Sequence, residues 1–148
     1  FWYQNIHPQK STVEETPDKA AENILGDLNH QVAETFEQIC REAVQKTGEY
    51  TKVGKWWYKE DEIDVVALNR QENKILLGEA KWTNQEVGET LLRQLEEKTE
   101  KVQWKNKNRE ENFALFSKNG FTQRLKETAE QRKDLNLYNL EKVRKSLK

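Results

Sequence analysis

The hydrophobic positions change period several times along the chain. Apolar residues first recur at spacings of three and four, at Val32, Phe36, Ile39, Cys40, Ala43 and Val44. This pattern starts near Leu28 and predicts an amphipathic helix that ends at Gly48. The preceding stretch, STVEETPDKAAENILGD, is polar and predicts a linker or an irregular arm. We therefore expect an N-terminal arm over residues 1–27 and a folded domain over 28–148.

Patterns typical of strands follow this helix. KWWYK predicts a short aromatic strand, and EIDVVAL and KILLGEAKW predict two further strands rich in β-branched and aliphatic residues. The polar stretch NRQENK between the last two is loop-like. We expect these two strands to form an antiparallel hairpin with a connection of about four to six residues.

The rest of the chain alternates between helical and extended patterns. Thr83 and Glu86 have the spacing of a capping box and predict the start of a long helix. Its apolar stripe is Val87, Leu91, Leu95 and Val102. NFALFSKNGF predicts a strand closed by Asn-Gly, TQRLKETAEQRKD a helix, LNLYNL a strand and EKVRKSLK a terminal helix. The predicted order is αβββαβαβα, an α/β fold with a mixed central sheet between helical layers.

Composition limits the protein class. Apolar and charged residues each make up 34% of the 148 residues, and the five Trp, four Tyr and five Phe argue against disorder. No apolar run is long enough to span a membrane. The single Cys40 excludes an internal disulfide and favours a reducing, cytoplasmic location. The chain has no Met and opens with FWYQ, so we expect a piece of a longer protein.

Charge is unevenly distributed along the chain. Residues 1–97 carry 11 Lys or Arg and 19 Asp or Glu, whereas residues 98–148 carry 14 and 7. A basic half is compatible with a polyanionic partner such as DNA, and equally with an ordinary solvated surface. The same two alternatives hold for the basic residues Lys98, Lys101, Lys105, Lys107 and Arg109.

Charged residues interrupt the two strands of the predicted hairpin. Glu79 and Lys81 are two residues apart and share one face of their strand, while Asp64 lies on the neighbouring strand. Closing the hairpin brings Asp64 near Glu79, and two adjacent carboxylates repel unless a cation intervenes. Mg²⁺ prefers such oxygen ligands, and a nearby lysine can orient or activate a water molecule. The pattern predicts metal-dependent phosphodiester hydrolysis, although an exposed cross-strand salt bridge would use the same residues.

These residues resemble the core of the PD-(D/E)xK nuclease superfamily. The resemblance implies a restriction-endonuclease-like α/β/α core of αβββαβ order, in which Asp64 and Glu79 bind Mg²⁺ or Mn²⁺. It further implies that the Ala80 backbone carbonyl is a ligand and that Lys81 serves the water nucleophile. Ile63 stands where the superfamily usually has Pro.

A glutamate on the first helix is also typical of such nucleases. Glu37 in FEQIC fits this position and would complete the metal shell, and Glu34 is its rival because it lies on nearly the same helix face. Glu62, on the same strand face as Asp64, could add a ligand or a water contact.

A narrower resemblance covers nearly the whole chain. FWYQNIHP, FEQICREAV, GKWWYKEDEIDVVALN, ILLGEAKWTN and FALFSKNGF resemble the C-terminal domain of archaeal and bacterial P-loop ATPases. This resemblance implies a DNA endonuclease domain attached to an ATPase domain of the same longer chain. Ala80 stands where Cys or Val is expected, on the face away from the site.

Two other functions remain open from the sequence. The nuclease fold could serve as a catalytically inactive DNA-binding or regulatory module of the ATPase. It could also be a partner-binding domain, with a homodimer as the outcome if aromatic N-terminal arms are exchanged. Trp56, Trp57 and Trp82 could stack on nucleobases, but aromatic residues beside strands more often belong to the core.

Overall fold

The computed structural model describes residues 17–148, which form four helices and five strands in the predicted order. Numbered along the chain, these are α1 (Pro17–Lys46), β1 (Lys52–Tyr58), β2 (Asp61–Asn69), β3 (Lys74–Lys81), α2 (Glu89–Thr99), β4 (Glu110–Ser117), α3 (Gln123–Gln131), β5 (Leu135–Asn139) and α4 (Leu140–Ser146).

The first helix is longer than its apolar pattern predicts. It begins at Pro17, so residues 17–27 are helical and the expectation of an irregular segment there is wrong. The helix continues through Gly26. The prediction failed because the few apolar residues of this segment, such as Ile24 and Leu25, stand among many polar ones. Residues 1–16 of the predicted arm lie outside the described residues.

The chain divides into two compact units within α1, between Thr35 and Phe36. In the first unit, the helix exposes three aliphatic side chains at Leu25, Leu28 and Val32. No helix in residues 17–148 is both long and apolar enough to cross a membrane.

The second unit contains a five-stranded mixed sheet with the spatial order β1-β2-β3-β4-β5. The first three strands are antiparallel neighbours, whereas β3, β4 and β5 run parallel. The hairpin between β2 and β3 is connected by residues 70–73, which confirms the predicted connection. Parallel pairing of β3 with β4 requires the crossover through α2, since parallel strands cannot be joined by a tight turn.

Two apolar cores cover the two faces of the sheet and make the second unit a three-layer α/β structure. The end of α1 and α4 pack on one face, through Phe36, Cys40, Ala43, Val44 and Val143. The helices α2 and α3 pack on the other, through Leu92, Leu95 and Leu125. Alternation along β3 divides its side chains between the cores, with Leu76 in the first and Ile75 and Leu77 in the second. The α/β fold predicted from the sequence is confirmed.

The start of α2 differs from the predicted capping box. Thr83 donates its hydroxyl hydrogen bond to the Gln85 carbonyl, and the helix begins only at Glu89 with Gly88 as its N-cap. Val87 forms a parallel bridge with Phe121, and this pairing holds the backbone extended up to Gly88. The capping-box prediction is wrong because a tertiary pairing overrides the local signal.

Candidate active site

A β-bulge in β2 places Asp64. Gly54 pairs with Val66 but Trp56 pairs with Ile63, so Asp64 and Val65 together stand opposite the single residue Lys55. A bulge of this kind bends the strand and redirects the side chains within it. The pairing of β2 with β3 extends from Asn69 to Val65, and Asp64 is the first residue beyond it.

The Asp64 carboxylate takes over where the backbone pairing stops. Its Oδ2 accepts a hydrogen bond of 2.9 Å from the backbone N–H of Ala80 on β3, and the side chain is 6% exposed. Arg41 of α1 donates to the Asp64 backbone carbonyl at 2.7 Å. Asp64 is thereby fixed from two sides, by the central strand and by the first helix.

Glu79 lies beside Asp64 at the end of β3 and is 4% exposed. Its carboxyl group is within hydrogen-bond reach of Asp64, and its Oε1 accepts a 3.0 Å bond from Nζ of Lys98. Burial raises the pKa of Glu79 to about 8, with the neighbouring Asp64 charge adding to the shift and Lys98 opposing it. One lysine is therefore not enough to neutralise this pair of acids.

Glu37 approaches Asp64 from α1. Its carboxyl group is within hydrogen-bond reach of Asp64, and burial together with Asp64 raises the pKa of Glu37 to about 7. Glu34 is exposed and lies 3.1 Å from His30. Of the two rival acids on the helix, Glu37 is the one in contact with Asp64.

Two further charged residues, Lys55 and Glu62, lie beside these acids. Nζ of Lys55 lies 3.8 Å from Glu37 and 3.1 Å from Glu62. Glu62 is more than half exposed and points its carboxylate to Lys55, while its backbone carbonyl accepts from Lys98 at 3.0 Å. Glu62 thus contacts the lysines of the site rather than its buried acids.

The structure brings together three of the four side chains that the sequence indicates. Glu37, Asp64 and Glu79 form a row with Asp64 in the middle, and we refer to these three residues as the carboxylate row. The Lys81 side chain is exposed and forms no ion pair with any residue in the described range 17–148. The backbone N–H of Ala80 is bonded to Asp64, and the use of its carbonyl as a ligand stays a prediction.

Lys98 is the residue that sequence reasoning did not assign to this site. It was one of several lysines in a basic stretch, yet its side chain is only 25% exposed and reaches Glu79. A usable signal existed in its spacing, because Lys98 is three residues after the buried Leu95 and hence on the same helix face.

The carboxylate row has the right chemistry for a hard divalent cation. No group of three or more His, Cys, Asp or Glu side chains within the described part of the chain is arranged to hold a metal ion by itself. Mg²⁺, however, is commonly bound through one or two carboxylates with water completing the shell. Asp64 and Glu79 supply such a pair, and a divalent cation between them would relieve the repulsion of their charges. The residues present fit this group.

The other sequence candidates have structural explanations. Trp82 packs its ring 5.2 Å from Phe36 and lies under Nζ of Lys118 at 4.8 Å, and Trp56 packs against the second core. Trp57 is 71% exposed and is the one of the three tryptophans that stays free for stacking. Cys40 is fully buried, and this burial raises the pKa of its thiol, so it is a core residue.

The fold and the site define a mixed α/β domain with a buried acidic cluster at one end of its sheet. Residues 2–114 match the family DUF234, described as archaeal and bacterial proteins of unknown function, and the chain belongs to this family. It is also 32% identical over 89 residues to the uncharacterised protein MJECL04 of Methanocaldococcus jannaschii. That alignment covers 55% of this chain and 20% of the relative, so the match spans about a fifth of the relative's length. No solved structure matches the chain.

Proposed function

We propose that the chain contains a Mg²⁺- or Mn²⁺-dependent DNA endonuclease domain that hydrolyses phosphodiester bonds. The observation that carries this proposal is the carboxylate row, in which three acids are packed together and the pKa values of Glu37 and Glu79 stay raised although Lys55 and Lys98 pair with them. Burying carboxylates in mutual contact is costly, and elevated pKa values of this kind are concentrated at functional sites.

Each residue of the site has a role in this proposal. Asp64 and Glu79 hold the divalent cation, with the Ala80 carbonyl and Glu37 completing its surroundings. When bound, the ion supplies Lewis-acid polarisation of the phosphate and a more acidic water. Lys81 is exposed at the end of β3, next to Ala80, where it can orient the water or offset negative charge on the phosphate. Lys55 holds Glu37 in place through their ion pair.

DNA is the proposed substrate, and an ATPase domain of a longer chain is the proposed partner. The excess of basic residues in 98–148 favours a polyanion, and the match to about a fifth of a longer relative is compatible with further domains. The resemblance of the chain to C-terminal domains of P-loop ATPases supports the same arrangement.

Incubation with DNA tests the proposed activity. Supercoiled, linear and branched DNA with Mg²⁺ or Mn²⁺ should be cleaved by the wild-type chain and not by Asp64→Asn. Asp61→Asn is a matched control, because Asp61 lies on the same strand but pairs with Lys101 instead of the carboxylate row. Cleavage that persists in Asp64→Asn would refute the assignment.

A catalytically inactive DNA-binding or regulatory module is the second candidate. It is favoured by the ion pair of Lys98 with Glu79 and by the exposure of the Lys81 side chain. Calorimetric titration with Mn²⁺ separates the two candidates. An inactive module should bind DNA with no metal site that Asp64→Asn removes.

A further inference from the structure

The side chain of Lys98 contacts both β2 and β3 at the carboxylate row. It extends from the last turn of α2, and its Nζ lies 3.0 Å from Glu79 Oε1 and 3.0 Å from the Glu62 backbone carbonyl. It therefore links the helix to two neighbouring strands at the carboxylate row. A charge-assisted hydrogen bond to a nearly buried carboxylate is among the stronger polar contacts in proteins.

The neighbouring lysines do not share this arrangement. Lys101 pairs with Asp61, and Lys55 pairs with Glu37 and Glu62. The Lys81 side chain is exposed and forms no ion pair in the part of the chain that the structure describes. Lys98 alone among these four contacts one of the two proposed metal ligands on β2 and β3.

We propose that Lys98 is an internal counter-ion that competes with the divalent cation for Glu79 and is released towards phosphate when the cation binds. This inference rests on the proposed function. It adds a residue and a regulatory property to the site, because cation binding then requires displacement of an ammonium group.

Electrostatics and side-chain length make the exchange feasible. An ammonium and a divalent cation on one carboxylate repel each other at short range in a poorly solvated site. Lys98 has a flexible four-carbon stem and is one quarter exposed, so its head group can leave Glu79 without unfolding the helix. Once displaced, it remains at the rim of the site, where an ammonium group can contact a phosphate oxygen.

Calorimetric titration of the full chain with Mg²⁺ at pH 8.5 tests the exchange. This pH keeps most Glu79 side chains ionised, so that proton release contributes little to the measured affinity. Lys98→Met should bind Mg²⁺ about tenfold more tightly than wild type, since the competing ammonium is gone. Lys98→Arg should stay within about twofold to threefold of wild type, because it keeps the charge.

Lys101→Met is the matched control, because Lys101 lies three residues further along, in the turn after α2, and forms its ion pair with Asp61. It should leave the affinity for Mg²⁺ unchanged within about twofold. Equal or weaker Mg²⁺ binding by Lys98→Met would overturn the exchange and would instead make Lys98 a residue that positions Glu79. Absence of both Mg²⁺ and Mn²⁺ binding by the wild-type chain would refute the proposed function itself, so the two failures are distinguishable.

A measurement on the wild-type chain covers the case in which Lys98→Met does not fold. The ¹³Cε resonance of Lys98, assigned by its loss in Lys98→Arg, should move on addition of Mg²⁺, and that of Lys101 should not. A second readout uses Ca²⁺, which replaces Mg²⁺ without hydrolysis in many metal-dependent sites. Lys98→Met should then bind DNA more weakly than wild type although it binds the cation more tightly. A Lys98 resonance that does not respond to Mg²⁺ would contradict the proposal.

Discussion

The domain buries charge in two places, at Arg109 and at the carboxylate row, and the two differ in how well the charges are paired. The guanidinium of Arg109, only 4% exposed, is surrounded by acceptors between α2 and β4. It donates to Glu111 and to three backbone carbonyls at 2.7–2.9 Å, those of Thr99, Val102 and Trp104. Arg109 thus closes the turn after the helix and satisfies orphan carbonyls there. It does not follow a phosphate backbone, which was one of its two sequence-based interpretations.

The carboxylate row has no such balance. Asp64 contacts both Glu37 and Glu79, and the pKa of each of these two glutamates is raised mainly by burial and by Asp64. The contrast teaches that burial of charge does not indicate function by itself. A buried charge with a complete set of partners stabilises the fold, whereas one left short of counter-charge is available for a ligand.

The largest effect on stability is expected for Arg109→Ala. Removing the guanidinium removes its hydrogen bonds to Glu111 and to three backbone carbonyls, so the free energy of unfolding should fall by about 3 kcal/mol, although the Thr99 and Val102 carbonyls still accept from backbone N–H groups. Urea denaturation followed by tryptophan fluorescence measures the loss. Arg124→Ala is the control, because Arg124 is exposed and pairs only with Glu89, and it should cost less than about 1 kcal/mol. Equal losses in both variants would end the distinction drawn for Arg109.

Glu79→Gln should have the reverse profile. Amide for carboxylate keeps the shape but removes a proposed ligand, so metal-dependent DNA cleavage should fall by at least about 100-fold. The free energy of unfolding at pH 8 should stay the same or increase, because a buried, under-neutralised charge is gone. Plasmid nicking and urea denaturation measure the two quantities. Glu72→Gln, a change at an exposed loop acid, should alter neither quantity. Strong destabilisation by Glu79→Gln would mean that Glu79, like Arg109, stabilises the fold.

Without metal, the stability of the domain should depend on pH because the acids of the carboxylate row are buried beside one another. The pKa of Glu79 is raised from 4.5 to about 8, so its contribution to stability is complete below about pH 4.5 and is lost as the pH rises through about 8. We expect the free energy of unfolding to fall by on the order of 2 kcal/mol between pH 5 and pH 8, with Glu37 contributing in the same direction.

Denaturation series at several pH values check this slope. Glu79→Gln should flatten most of it, and the double change with Glu37→Gln should remove it. A wild-type chain that becomes more stable between pH 5 and pH 8 would contradict the assignment of raised pKa values to these glutamates.

The smallest effect is expected for Lys101→Ala. Lys101 pairs with Asp61 at the surface, and the side chains are 53% and 32% exposed, so the loss of stability should be small at low salt and should vanish in high salt. Thermal unfolding at low and high ionic strength measures it. A loss of stability as large as that of Arg109→Ala would mean that solvent exposure does not distinguish charged residues that stabilise the fold from those that do not.

Much of the fold follows from local patterns. The strands that contain Asp64 and Glu79, their short hairpin and the order of all the elements are apparent from apolar periodicity and turn residues, because these signals are local. The start of α1 and the start of α2 were missed for two different reasons. The first part of α1 is mostly polar in composition, and the beginning of α2 is delayed by the pairing of Val87 with Phe121.

The site is only partly visible in the sequence. Residue types and spacing identify Asp64 and Glu79 as acids on adjacent strands, since the alternation of a strand fixes which side chains share a face. The contact of Glu37 with Asp64 and the bulge opposite Lys55 depend on helix packing and strand register. These are non-local, and no spacing within either element encodes them.

The sequence by itself determined the α/β architecture and the acids that interrupt its central hairpin, because each is set by neighbours within a few residues. Only the tertiary structure decided which lysine contacts those acids. Lys98 and Lys81 are both plausible from residue type, yet the packing of α2 on the sheet brings Lys98 to Glu79 and leaves Lys81 in solvent. Which lysine contacts Glu79 depends on how α2 packs on the sheet, and a side-chain contact of about 3 Å is fixed only when the whole core is packed.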